Sequence, residues 1–146
     1  MTRKTLRRPR EPGGAGRPTT VFVAGCFNRV HNAHVRMLRW ARALGDRLVV
    51  VLAHDAHNHK PNAVPAAQRL RRLRALGLAD KVCVGSAGSF ARRLRAERPD
   101  ILVLGYDQRL PDAETAAAAR ELGVRVTALP WNPGKEEHHA CQYLLS

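Results

Sequence analysis

Acidic residues, cysteines, aromatics and long apolar runs are all scarce in this 146-residue chain, and each shortage narrows what it can be. Three cysteines, Cys26, Cys83 and Cys141, are an odd number without C-x-x-C spacing, which argues against a disulfide framework or a zinc knuckle. Reduced thiols are expected, with Cys83 in a predicted strand as a small buried apolar group. No apolar run approaches the ~18 residues of a membrane span. The N-terminus also lacks the apolar stretch of a secretory leader, so a soluble cytoplasmic protein without membrane contact is expected. Hydrophobic residues still make up 45%, enough at this length for one core and too little for two.

Twelve acidic residues face 25 lysines and arginines, a net charge of +13. Such a balance invites a nucleic-acid reading, since basic surfaces bind phosphate polymers by releasing counterions. Its distribution argues otherwise. Residues 1–18 hold Arg3, Lys4, Arg7, Arg8, Arg10 and Arg17 against Glu11 in a Pro/Gly-rich arm that cannot bury a core and is expected to be disordered. Residues 19–146 then form the single domain, and much of their charge is arginine scattered over predicted helices. Nucleic acid is not expected as the main partner.

Apolar runs and helical spacings alternate along the rest of the chain. Residues 20–24 are a β-branched and aromatic strand ending at Gly25, and 34–43 a helix with Val35, Leu38 and Ala41 inward and Gly45 as its stop. Residues 47–53 are a continuous apolar run of the kind found in parallel sheets covered on both faces. A helix over 65–76 sets Ala66, Leu70 and Leu73 inward and displays Arg69, Arg71, Arg72 and Arg74. Strand 81–84, a helix capped by Ser89 and running to about residue 98, strand 101–104, helix 111–122 and strand 124–129 follow. Strand and helix alternate five times, which predicts an α/β fold: one Rossmann-like, doubly wound sheet of about five parallel strands with helices on both faces. In such sheets ligands bind beyond the carboxyl ends of the strands. Residues 25–34, 54–64 and 105–109 all follow strands and should share that rim.

The first of these loops carries the chemistry. Gly25-Cys26-Phe27-Asn28-Arg29-Val30-His31-Asn32-Ala33-His34 closes a strand and opens a helix. Unpaired backbone N–H groups and the helix dipole both favour an anion there. Imidazoles at i and i+3 lie on one helical face and can donate to the same phosphate chain.

These residues resemble the signature of the cytidylyltransferase-like nucleotidyltransferases, G-[TS]-F-D-x-x-H-x-G-H, which here reads G-C-F-N-x-x-H-x-A-H. Gly25, Phe27, His31 and His34 match; Cys26, Asn28 and Ala33 depart. Residues 48–60 are similar to the family's second strand and following loop, where a lysine at Lys60's place reaches phosphates. Ala67-Gln68-Arg69 resembles the E-x-R helix, with Arg69 in the place of a phosphate-binding arginine; taken alone, Arg69 reads as part of a solvated face. Residues 99–108 resemble P-D-[IV]-[IV]-x-L-G-x-D, and the Gly105-Tyr106-Asp107-Gln108 form looks like the archaeal-type FAD synthase branch, close to the glycerol-3-phosphate cytidylyltransferases.

That resemblance implies His31, His34 and Lys60 as catalytic residues. It implies Gly25, Cys26, Phe27, Asn28, Arg69, Gly105, Tyr106, Asp107 and Gln108 as the nucleotide site. The family's C-terminal Ser/Thr segment is missing, and Lys135, His138 and His139 are the candidate phosphate contacts in its place. No protein metal site is expected, because adjacent His138 and His139 point in different directions on a helix. The implied reaction moves AMP or CMP from ATP or CTP, with Mg²⁺ held through the phosphates, to a small phosphorylated acceptor such as FMN or glycerol 3-phosphate, releasing pyrophosphate. The alternative is a degenerate member that binds nucleotide without turnover, as a sensor or partner-binding subunit. Relatives are often dimers, which makes a homodimer possible.

Overall fold

The computed structural model describes residues 17–104, 110 and 112–128. Gly105, Tyr106, Asp107, Gln108, Lys135, His138 and His139 lie outside the described residues, as does most of the basic arm. Strands β1 (Thr20–Gly25), β2 (Arg47–Leu52), β3 (Lys81–Val84), β4 (Ile101–Leu104) and β5 (Arg125–Ala128) alternate with helices α1 (Asn32–Ala43), α2 (Ala66–Leu76), α3 (Ala91–Glu97) and α4 (Ala113–Leu122). All strand pairs are parallel, in the order β3-β2-β1-β4-β5. The doubly wound sheet expected from the alternation is therefore observed.

Continuous apolar runs make the sheet two-sided. Val21, Val23, Leu48, Val50, Ile101 and Val103 pack with Met37, Leu38 and Ala41 of α1 and Leu73 of α2. Phe22, Val49, Val51, Leu102 and Leu104 pack with Ala91 and Leu94 of α3 and Ala118 and Ala119 of α4. Alternate side chains of one strand thus enter two different cores. The chain runs outward from β1 through β2 to β3 on one side, then returns to β4 on the other. This places the topological switch point, where such folds bind ligands, between the carboxyl ends of β1 and β4.

The helix boundaries differ from the expectation at their first turns, each for a local reason. Helix α1 begins at Asn32 because His31 serves as N-cap and the His34 side chain reaches back to the His31 backbone. Pro65 caps α2 instead of opening it, and Gly77 closes it at φ 67°. Helix α4 starts two residues late because Asp112 accepts from the Thr115 N–H at 2.7 Å. Gly45 is not the cap of α1, which is Leu44; a Cβ at Gly45 would lie 2.8 Å from the Thr19 carbonyl, so glycine is needed for the close approach of two chain segments.

At the opposite, amino edge of the sheet an aspartate sits immediately before each of three strands. Asp46 accepts from the Thr19 N–H, Asp80 from the Leu48 N–H and Asp100 from the Thr20 N–H, each at 2.8 Å. Arg42 grips Asp80 and Arg17 grips Asp100 through both guanidinium nitrogens. Arg17, counted with the arm in the sequence, is thus bound to the folded body.

Candidate active site

Strand β1 ends at Gly25, and the next residues turn sharply into α1. Phe27 takes φ 56°, a left-handed conformation costly for a residue with a Cβ and held only where the surroundings determine it. Several contacts determine it here. The Phe27 ring is buried over Gly25, where an added Cβ would come within 3.1 Å of the ring edge, so glycine makes room for it. It also packs against His34 with ring centroids 4.9 Å apart, and His34 lies 4.2 Å from the His31 ring, inclined by 35°. The three rings pack in series, each tilted against the next.

The histidines are positioned by the helix they begin. His34 is 2% exposed, and its Nδ1 accepts from the His31 N–H at 3.3 Å. An accepting Nδ1 makes Nε2 the proton-bearing nitrogen of the neutral ring. Both ring nitrogens of His31 are shielded from water. The groups brought together at this turn, imidazoles and the first N–H groups of α1, can donate to phosphate oxygens.

Arg69 is placed otherwise than expected. It does not stand displayed on α2: it is 0% exposed, the largest fully buried side chain among the described residues. Its NH1 donates to the Cys26 carbonyl at 2.9 Å, its Nε to the Val64 carbonyl at 2.6 Å and its NH2 to Asp55 Oδ1 at 2.9 Å. A buried guanidinium is tolerated only when its donors are taken up this way. Arg69 therefore binds the turn itself, and Arg72, one helical turn on, donates to the Asn28 carbonyl at 2.9 Å.

The loop after β2 is the second wall. Asp55, in a short 3₁₀ turn (Asp55–His57), also accepts from the first N–H of α2 at 2.8 Å. His57 Nε2 donates to the carbonyls of Ala87 and Gly88 at 2.7 and 3.2 Å, tying this loop to the one after β3. Buried Asn58 pairs with Asn28. Lys60, half-buried, lies two residues further on in the same loop. The structure thus brings Gly25, Cys26, Phe27, Asn28, His31 and His34 into one turn and sets the Lys60 loop beside it. Asp55, His57 and Asn58 were not singled out by sequence reasoning. The one available signal was that an amide at position 28 needs a matching donor and acceptor on the next rim loop.

Cys26 is fully buried, whereas Cys83 is half-buried, and burial pushes the Cys83 thiol up from its ordinary value. Among the described residues no group of three or more His, Cys, Asp or Glu is arranged to hold a metal ion, and no helix is long and apolar enough to cross a membrane.

Comparisons with known proteins agree with this geometry. The model of the cytidylyltransferase-like family matches residues 22–139. The FAD synthase of Methanosarcina acetivorans is 42% identical over 116 residues, 77% of either chain. That of Archaeoglobus profundus is 34% identical over 128 residues, 86% of this chain and 80% of the relative. Among solved structures, a lipopolysaccharide core biosynthesis protein from Thermoplasma volcanium superimposes with a TM-score of 0.66 at 32% identity, over 76% of this chain and 93% of that one. A pantothenate synthetase from Thermus thermophilus reaches 0.53 at 15% identity, over 84% of this chain and 56% of that one, a likeness of fold alone. With signature, sheet order and relatives in agreement, the chain belongs to the cytidylyltransferase-like family and is a nucleotidyltransferase.

Proposed function

We propose that this chain is an FMN adenylyltransferase, transferring AMP from ATP to the phosphate of FMN to give FAD and pyrophosphate. The observation that carries the reading is the stacked His31–His34 turn at the switch point, and relatives about 40% identical that bear the name FAD synthase support the choice of ATP and FMN.

An oxygen of the FMN phosphate attacks the α-phosphorus of ATP, the bond from that phosphorus to the oxygen bridging the β-phosphate breaks, and pyrophosphate departs with the electron pair. The attacking phosphate is already ionised, so no general base is needed. The protein's task is alignment and neutralisation of charge. His31 and His34 donate to the phosphate oxygens on which charge grows, with the N–H groups of α1 behind them, and Lys60 offsets charge on the leaving group. Mg²⁺ suits this arrangement as an ion carried by the triphosphate, since the turn presents donors and not carboxylates.

Substitution of Cys26 and Asn28 in the signature does not argue for a binding-only protein, because both side chains are hydrogen-bonded to Asn58 of the loop after β2 and hold the turn in place. The test is FAD formation from ATP and FMN, with CTP and glycerol 3-phosphate as competing substrates. ATP with FMN should be the productive pair, and His31→Ala should lower kcat by about 10²-fold or more with the fold retained. Nucleotide binding without FAD, or turnover only with CTP and glycerol 3-phosphate, would reject the assignment.

A further inference from the structure

Two departures from the family signature meet in one buried cluster. The Val64 backbone N–H can only donate, so the Asn28 atom 3.0 Å from it is the carbonyl Oδ1. That fixes the remaining atoms. Asn28 Oδ1 takes a second hydrogen bond from Asn58 Nδ2 at 2.8 Å, and Asn28 Nδ2 donates back to Asn58 Oδ1 at 3.1 Å. The Cys26 thiol donates to the same Asn58 Oδ1 at 3.4 Å. Asn58 is 7% exposed and Asn28 half-buried, so the reciprocal pair is partly shielded from water. Each amide gives one donor and one acceptor to the other. A carboxylate at either end would keep the acceptor, lose the donor and add a charge.

We propose that Asn28 and Asn58 form a neutral clasp that positions the two walls of the transfer site. Asn28 lies three residues before His31, and Asn58 two residues before Lys60, so the clasp sets the spacing between the imidazoles and the lysine across the bound triphosphate. Because it is uncharged, it closes that spacing without placing negative potential beside the phosphates. Both side chains act through the residues they place and are positioning residues. The kinetic part of the proposal rests on the nucleotidyl-transfer reading; the binding part does not.

The test compares Asn28→Asp, Asn58→Asp, the double variant and Asn58→Leu, with folding checked by circular dichroism. ATP affinity is measured by calorimetry with MgATP, and kcat and KM with FMN. Each aspartate variant should weaken ATP binding about tenfold. The double variant should lose more than the product of the two, since it sets two carboxylates within hydrogen-bonding distance, and should recover affinity as pH falls and the pair takes up a shared proton. Asn58→Leu should raise KM for ATP by leaving the Asn28 amide unmatched. A merely structural role would lower the melting temperature while Kd, KM and the pH profile of the folded variants stayed at wild-type values, and that result overturns the clasp. If the double variant does not fold, unchanged Kd and KM in the single variants overturn it equally. Wild-type protein that binds MgATP but makes no FAD would reject the proposed reaction and leave the affinity series to decide the clasp; wild-type protein that does not bind MgATP would overturn both.

Discussion

At the scale of single residues, Arg69 shows how a motif can be recognised while its physical role is not. Its place four residues before Leu73 puts it on the inward face of α2, unlike Arg71, Arg72 or Arg74, all of which are exposed, but the spacing does not show what an arginine would meet there. What separates it is the set of carbonyls waiting inside, from Cys26 and Val64, together with Asp55. The Asp55 side chain is 59% exposed, so this ion pair is partly screened, and most of the arginine's value lies in the buried carbonyls it satisfies. Replacing Arg69 by Ala leaves those carbonyls unpaired and opens a cavity beneath the turn. A loss on the order of 3 kcal/mol in urea-unfolding stability is expected. Arg69→Lys should recover little of it, because a single ammonium cannot serve three directions fixed by a planar guanidinium. Full recovery by Lys would show that charge alone is what the site needs.

At the scale of elements, existence was legible and first turns were not. The strands announced themselves by uninterrupted apolar runs, and four of the five were expected to within a residue or so of their observed bounds. Position 129, expected to end β5, lies outside the described residues. Helix starts moved because they depend on local side-chain choices that spacing does not reveal, such as the His31–His34 capping arrangement and the Asp112 cap. The turn from β1 into α1 was legible because its cause is local, a strand giving way to a helix with histidines three apart. The clasp behind it was not, since Asn28 and Asn58 are separated by 30 positions and meet only through the pairing of β1 with β2.

One element-level contact has a clear pH signature. Glu97 at the end of α3 accepts from Lys81 of β3 at 2.8 Å and from Arg93 at 3.3 Å. The Lys81 hydrogen bond holds its carboxyl below the ordinary carboxylate range, against an opposing effect of burial and with help from Arg93. A depressed value in the folded state means the contact stabilises fully above about pH 4.5 and is lost as pH falls through the lower folded value. Acid-unfolding curves should therefore shift on Glu97→Gln. The variant should be less stable than wild type near neutrality, and the gap should close as pH falls through the lowered folded value. A gap that is constant across the acid range would mean that Glu97 contributes packing and not charge.

At the scale of the whole molecule, the two ends of the sheet do different work. The carboxyl edge carries the left-handed Phe27, the packed rings of Phe27, His34 and His31, and the Asn28–Asn58 pair. The amino edge carries Asp46, Asp80 and Asp100, each closing a backbone N–H of a neighbouring segment, and no residue of the candidate site. Between them lie the rigid apolar strands, so damage at one edge need not reach the other. Asp100→Ala removes the acceptor of the buried Thr20 N–H and frees Arg17. The expected cost is about 1–3 kcal/mol, a fall in Tm of roughly 3–10 °C for a domain of this size. Because the turn at Gly25 stands at the far end of the same strand, kcat and KM of the variant should match wild type at any temperature where it remains folded. A change in KM for ATP would show that strand β1 transmits strain along its length, and the division of labour between the two edges would then have to be given up.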